Sequence, residues 1–360
     1  MSSIEQSSRP IILSLSHLST TASAFFASWR TFDNGCAHLK VKLNGIESPK
    51  LVPQKLESYK RSDLHLCTCV SPKVSFPNSN PGHLRASLAA MAPQVKSWRD
   101  LSFLSECISP EINAVYTTFA LVDDEDRVFF GQLPFKKTEI TFEQITAALE
   151  PVPDEHIYPN LPQERLTVAP SDVVARPDIF IKRPSLSAYE DLKEEDALGS
   201  LPPELLDEAR ILELTLQKPH PGIVQYFGCR VHRSRITGLV LRRYEYNIYQ
   251  YLQLGIGALS GEEKEAFMKA LEGAVRHLHS ELGVAHNDIN PLNIMVTVSD
   301  KMPVLVDFGS ARKIGEKLGV SRGTPGWIDE EDDYTTSEIR HDIFALGKFR
   351  AWLEDPKFEM

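Results

Sequence analysis

The strongest constraint on this 360-residue chain is a pair of motifs near its C-terminus, HNDINPLNIMV over 286–296 and VLVDFG over 304–309. Asp288 is followed five residues later by Asn293, and two apolar runs then lead to a second aspartate, Asp307. The runs read as the strands of a hairpin, which would return Asp307 to the turn that holds Asp288 and Asn293. Phosphate chemistry needs such a set. One carboxylate orients an acceptor hydroxyl, while an amide and a second carboxylate hold magnesium against phosphate oxygens. Each residue alone is more often a solvated loop side chain; the ordered pair of motifs around a strand pair is far more specific.

The segment before these motifs is regular. Ile179-Phe180-Ile181 reads as a strand ending on Lys182. Glu204–Gln217 reads as a helix with Leu205, Ala209, Leu212 and Leu216 along one face, and Pro202 and Pro203 lie in its first turn, where missing donors cost nothing. Strands are predicted at Ile223–Val231 and Ile236–Tyr244. Ser260, with Glu263 three residues later, forms a capping box that opens a long helix ending near Gly283.

From about Asp178 to Leu353 the chain resembles a eukaryotic protein kinase. The combination of HNDINPLN, DFG and GTPGW is similar to short kinase-like proteins of filamentous fungi. The resemblance implies an α+β, bilobal fold, with an N-lobe over 178–243 and a C-lobe over 244–360 that lacks the last helices. It implies ATP and Mg2+ as cofactors. Lys182, paired with Glu208, would hold the α- and β-phosphates, and Asp288 would orient the acceptor hydroxyl. Asn290 and Thr324 belong to the same catalytic group, Thr324 bonding Asp288. Leu241, Tyr244 and Met295 would join Lys182 and Asp307 around the nucleotide, and Asn293 and Asp307 would hold the metal. An apolar column of Leu212, Tyr226, Phe308 and His286 would stand on Asp342, which holds the catalytic loop by its backbone. Glu331 would close the activation segment, with Arg340 as a nearby partner.

Four departures bear on activity. The stretch PNLPQERLTVAPSDVVARPD before Lys182 contains no glycine, although backbone amides approach phosphates closely only where side chains are absent or turned away. The hairpin at Ala114–Leu133 is a candidate substitute roof, contributing Gly131. Asn290 replaces the catalytic-loop lysine that stabilises charge on the transferred group. Asn287 replaces the arginine that reads a phosphorylated loop, so control through Ser321 or Thr324 is not expected. The chain also stops at Met360, soon after the helix containing Asp342. Three readings are compatible with this pattern: a serine/threonine protein kinase, a pseudokinase acting as a binding or scaffold module, and a small-molecule kinase.

The remainder carries less chemistry. Residues 1–150 read as an additional N-terminal α/β region of unknown role, with the VYTTFALV and RVFFGQL hairpin and a short helix after Thr141. Residues 151–177, with six prolines, read as a linker or as an extended strap over the kinase-like domain. A net charge of -10 without a Lys/Arg run excludes a nucleic-acid surface, and the five scattered cysteines read as free thiols in a reducing compartment. The apolar stretch Ile11–Ser28 is too broken for a membrane span or a cleaved signal. The expected setting is intracellular, cytoplasmic or nuclear, with a protein substrate or binding partner.

Overall fold

The computed structural model describes residues 93–109, 114–319, 322–331 and 334–358. The apolar stretch at 11–28, Ser321, Cys36, Cys67 and Cys69 lie outside them; Cys107 and Cys229 are buried.

The first unit is an antiparallel sheet of four strands in sequential order: β1 (Phe103–Ser109), β2 (Ala114–Val122), β3 (Val128–Leu133) and β4 (Glu150–Pro151). The predicted hairpin is β2–β3, with Val122 opposite Val128 around the acidic turn. Helix α1 (Phe142–Ala148) starts at Thr141, whose hydroxyl caps Gln144 in a capping box. Aromatic and branched residues occupy both faces, because both are covered. Leu104, Phe119, Leu121 and Phe129 pack with Ile145 and Leu149, whereas Phe103, Ala120, Val128 and Phe130 pack with Leu186, Tyr189 and Leu201. Gly131 serves this packing. A Cβ there would lie 2.5 Å from the Phe119 ring and 2.7 Å from the Ala148 carbonyl oxygen.

After the short helix α2 (Asp154–Ile157), the proline-rich segment runs as a strap along a second sheet. It is followed by α3 (Ser171–Val174), β5 (Ile179–Lys182), α4 (Tyr189–Glu194), α5 (Leu201–Gln217), β6 (Tyr226–His232) and β7 (Arg235–Arg242). The second sheet is antiparallel in the order β5-β7-β6. The strap satisfies the outer edge of β6. Cys229 N donates to Thr167 O (2.7 Å), Ala169 N to Cys229 O (2.9 Å), and Leu161 N to Ser234 O (3.0 Å). Thr167 is tied to Glu213 of α5 through its amide (3.1 Å) and hydroxyl (2.5 Å). β5, the strand of Lys182, is the other edge.

The helical part holds β8 (Tyr246–Asn247), α6 (Ile248–Gln253), α7 (Gly261–His277), β9 (Val284–Ala285), β10 (Ile294–Val296), β11 (Pro303–Leu305), β12 (Arg312–Lys313) and α8 (Ile339–Glu354). The capping box of α7 is as predicted: Glu263 N donates to Ser260 Oγ (3.2 Å) and Ser260 N to Glu263 Oε2 (2.8 Å). One core joins this part to the β5-β7-β6 sheet and α5. Among the described residues no helix is long and apolar enough to cross a membrane.

Gly228 lies where the strap crosses β6, at φ +123°, and a Cβ there would meet Ala169 N at 2.7 Å and Thr167 O at 2.8 Å. Gly228→Ala combines a backbone conformation unfavourable to alanine with a clash against backbone. It should destabilise the protein by about 2 kcal/mol or more in denaturant titration. A loss below about 0.5 kcal/mol, within the range of neutral surface changes, would show that the strap is not fixed there.

Candidate active site

Lys182 ends β5 with its side chain almost wholly buried, and Glu208 lies on the buried face of α5. The ammonium contacts Glu208 Oε1 at 2.6 Å and Asp307 Oδ1 at 2.8 Å. Burial alone would depress the ammonium, but the charges of Asp307 and Glu208 outweigh it and hold the group above its ordinary range. For Asp307, burial pushes upward and Lys182 overrides it, leaving the carboxyl below its ordinary value. Glu208 ends above its own, because burial, supported by the nearby Asp307 charge, exceeds what Lys182 returns. One cation thus serves two carboxylates.

Asp307 sits at φ +62° directly after the β10–β11 hairpin, next to the fully buried Phe308. Phe308 N donates to Glu208 Oε1 (3.1 Å), and Gly309 N to Asp307 Oδ1 (3.2 Å). Of the column expected from sequence, three members share one core and the fourth contacts it. Leu212, Tyr226 and Phe308 are buried, and His286 meets the Phe308 ring edge-on at 5.0 Å.

Asp288 is held from three sides. Its Oδ1 accepts from Thr324 Oγ1 (2.7 Å) and Asn290 Nδ2 (3.0 Å), and its Oδ2 from Asn293 Nδ2 (2.9 Å). Asn293 is fixed further by Nδ2 to Asp288 O (2.9 Å) and by Val306 N to its carbonyl (3.0 Å). Its Oδ1 enters none of these bonds. Asn290 is spent on structure: besides Asp288, its Nδ2 reaches Thr324 Oγ1 (3.1 Å), and its Oδ1 accepts from Leu292 N (2.9 Å).

Asp342, fully buried in the first turn of α8, carries this loop. It accepts from His286 N, Asn287 N and His279 Nε2, each at 2.8 Å. His286 Nε2 pairs with Val306 O (3.0 Å) while Asp288 N points at its Nδ1 (3.3 Å), which defines the neutral Nε2–H tautomer; burial keeps the ring neutral by lowering its pKa. Asn287 has a role that sequence reading missed. Buried at φ +61°, its Nδ2 reaches Ala285 O (3.0 Å), Ser310 O (3.2 Å) and Ser337 Oγ (3.0 Å), and its Oδ1 pairs with His341 Nδ1 (3.0 Å).

The other expectations fare unevenly. Leu241 is buried opposite Phe180, and Met295 is half-buried on β10. Tyr244 lines a cavity of about 790 Å3 with Pro221, Tyr226 and Val304. That cavity is lined by none of Lys182, Glu208, Asp288, Asn293 and Asp307. The β2–β3 turn docks against Arg183, Arg230 and Arg233, and Gly131 is packed under Phe119. The described bonds of Arg340 go to Glu338 (2.7 and 3.2 Å) instead of Glu331.

Residues 183–352 match the protein kinase domain family. The C-terminal part of this chain is a protein kinase domain. The match begins just after Lys182, which contacts Glu208 within it. Curated relatives include serine/threonine-protein kinase D of Synechocystis sp., 31% identical over 115 residues (28% of this chain, 23% of that protein). Serine/threonine-protein kinase CHK1 of Saccharomyces cerevisiae is 26% identical over 155 residues (40% and 29%). Serine/threonine-protein kinase PknG of Mycolicibacterium smegmatis is 31% identical over 140 residues (37% and 17%). The matched segments span less than a third of each of these relatives.

Burial raises the Asp288 carboxyl from 3.8 to about 7, against the Thr324 hydrogen bond and with the Asp307 charge adding to the rise. The folded state therefore binds the extra proton, and the stability it contributes is lost as pH rises from about 4 to about 7. Carboxyl NMR should find an aspartate midpoint near pH 7 that disappears in Asp288→Ala. A midpoint below about pH 5, in the ordinary aspartate range, would contradict the burial argument.

Proposed function

We propose that this chain catalyses ATP- and magnesium-dependent phosphoryl transfer to serine or threonine of a protein substrate, on a bilobal kinase fold in an intracellular setting. The contact of one buried lysine with both Glu208 and Asp307, beside an Asp288 held by Asn293 and Thr324, carries this reading. The donor set fits magnesium-ATP. Two carboxylates on one ammonium leave a formal negative charge that a divalent cation would offset, and Asp307 with Asn293 Oδ1 would hold a magnesium ion there. Magnesium-ATP, when bound, supplies the phosphoryl group and neutralises its developing charge.

The chain's own residues then have distinct tasks. Lys182 would hold phosphate oxygens, kept in place by Glu208. Asp288, as carboxylate, accepts a hydrogen bond from the acceptor hydroxyl, and Thr324 and Asn293 fix its orientation. Asn290 holds Asp288 but brings no cation, so charge on the transferred group rests on Lys182 and the metal. The serine/threonine preference is taken from the relatives' descriptions.

One pair of observations favours the second reading, a kinase-like binding module. β5 is an edge strand among the described residues, with no glycine-rich hairpin beside it, and Phe180 shares the face of Lys182 because side chains two apart on a strand point the same way. Kinases carry alanine at that position in V-A-I-K, so the phenyl ring crowds the adenine side. Titration with Mg2+ and ATP should raise the melting temperature of the wild type and leave Asp307→Ala unmoved. Phosphate transfer to a serine/threonine peptide library should fall about 100-fold or more in Asp288→Ala. A thermal shift without transfer selects the binding module, and no shift at all rejects both nucleotide readings.

A further inference from the structure

One carboxylate from outside the kinase segment touches β6, β7 and the residue that follows β5. Asp126, in the β2–β3 turn, is fully buried at φ +60°, a conformation aspartate tolerates better than most residues. Its Oδ1 accepts from Arg183 Nη2 (2.6 Å), the residue after Lys182 at the end of β5. Its Oδ2 accepts from Arg230 Nε on β6 (2.6 Å) and Thr237 Oγ1 on β7 (2.7 Å), and His232 Nδ1 lies 3.4 Å away. The same turn is gripped through its backbone. Arg230 donates to Asp124 O (3.1 Å), and Arg233 donates to Glu125 O and Asp126 O while its guanidinium pairs with Asp154 (2.6 and 2.8 Å).

The β1–β4 unit has a second grip. Phe103, Ala120, Val128 and Phe130, with Tyr158, pack against Leu186, Tyr189 and Leu201. Leu186 and Tyr189 belong to the segment that joins Lys182 to α5, and Leu201 is the first residue of α5, the helix of Glu208. The unit therefore holds both carriers of the ion pair: β5 by charge through Arg183, α5 by apolar packing. β5 needs such a hold, being four residues long and paired on one side by β7.

We infer that Asp126 is a positioning residue, through which the N-terminal sheet braces β5 against α5 and sets the Lys182–Glu208 contact. The kinase segment would thus depend on a built-in brace outside it. Asp126→Asn removes the charge that two guanidiniums share and should loosen the ion pair without touching Lys182 or Glu208.

Hydrogen exchange on the full chain tests this without any ligand. In Asp126→Asn, amides of 179–183 and 201–212 should exchange about tenfold faster or more while those of α7 and α8 stay as in wild type, a local opening distinct from global loss. Asp124→Asn, at the exposed neighbour, should leave all of them unchanged. If Asp126→Asn does not fold, Thr237→Val removes one bond at similar shape and should give the same pattern at smaller amplitude. Faster exchange in β1–β3 alone, or a uniform rise everywhere, overturns the brace. The nucleotide arm rests on the proposed function: titration with Mg2+ and a fluorescent ATP analogue should show about tenfold weaker binding in Asp126→Asn, and equal affinity there counts against the brace. Should wild type bind no nucleotide, the proposed function fails and the exchange result alone decides the inference.

Discussion

A single buried ammonium organises this molecule. Lys182 can stay charged in a dry interior only because Glu208 and Asp307 lie within 2.6 and 2.8 Å of it. Those carboxylates come from α5 and from the turn after β11, so the contact exists only when the sheet, the helix and the β10–β11 hairpin are all in register. Removing one member of such a set leaves uncompensated buried charge, which typically costs about 3–5 kcal/mol. The interaction reports the assembled fold, and its surplus negative charge gives a divalent cation a reason to bind.

Around it lies a polar frame with little freedom. Asp342 takes two backbone amides and His279, Asn287 ties the loop to the Ser310 and Ser337 segments, and His286 links the loop to Val306 and, through its ring, to Phe308. This network fixes the loop of Asp288 and Asn293 to Val306, the residue before Asp307, and the core that contains Leu212, Tyr226 and Phe308 joins it to α5 and β6. Geometry at the carboxylates is thereby coupled to the position of the helix that carries Glu208.

What could be read from the sequence was what chemistry ties to residue type and spacing. Asp288, Asn293, Asp307, Thr324 and the Lys182–Glu208 pair were legible because few other residues serve those contacts, and α5, α7 and the β2–β3 hairpin because their periodicity and caps are local. The proline-rich segment showed its lack of periodicity, but its bonds to β6 are long-range and left no local mark. Asp126 is one of four acids in the β2–β3 turn, and only tertiary contacts tie it to Arg183, β6 and β7. Gly131, read as part of a candidate roof, admits the Phe119 ring, a contact that the local sequence does not mark. Asn287 was read for the arginine it lacks, although its amide and left-handed backbone fit a buried junction. β1 was missed because its partner strand, not its own pattern, defines it.

The claim on which all of this converges is that Lys182, Asp307 and Asn293 face one metal-bound nucleotide. The direct measurement is a crystal structure of the full chain with Mn2+ and a non-hydrolysable ATP analogue, using anomalous scattering to locate the metal. The account predicts an ion about 2.1–2.2 Å from an Asp307 carboxylate oxygen and from Asn293 Oδ1, as oxygen ligands of a small divalent cation require, with Lys182 turned from Asp307 to a phosphate. A nucleotide seated in the cavity beside Tyr244, or a metal that leaves the Lys182–Asp307 contact intact and ignores Asn293, would contradict it.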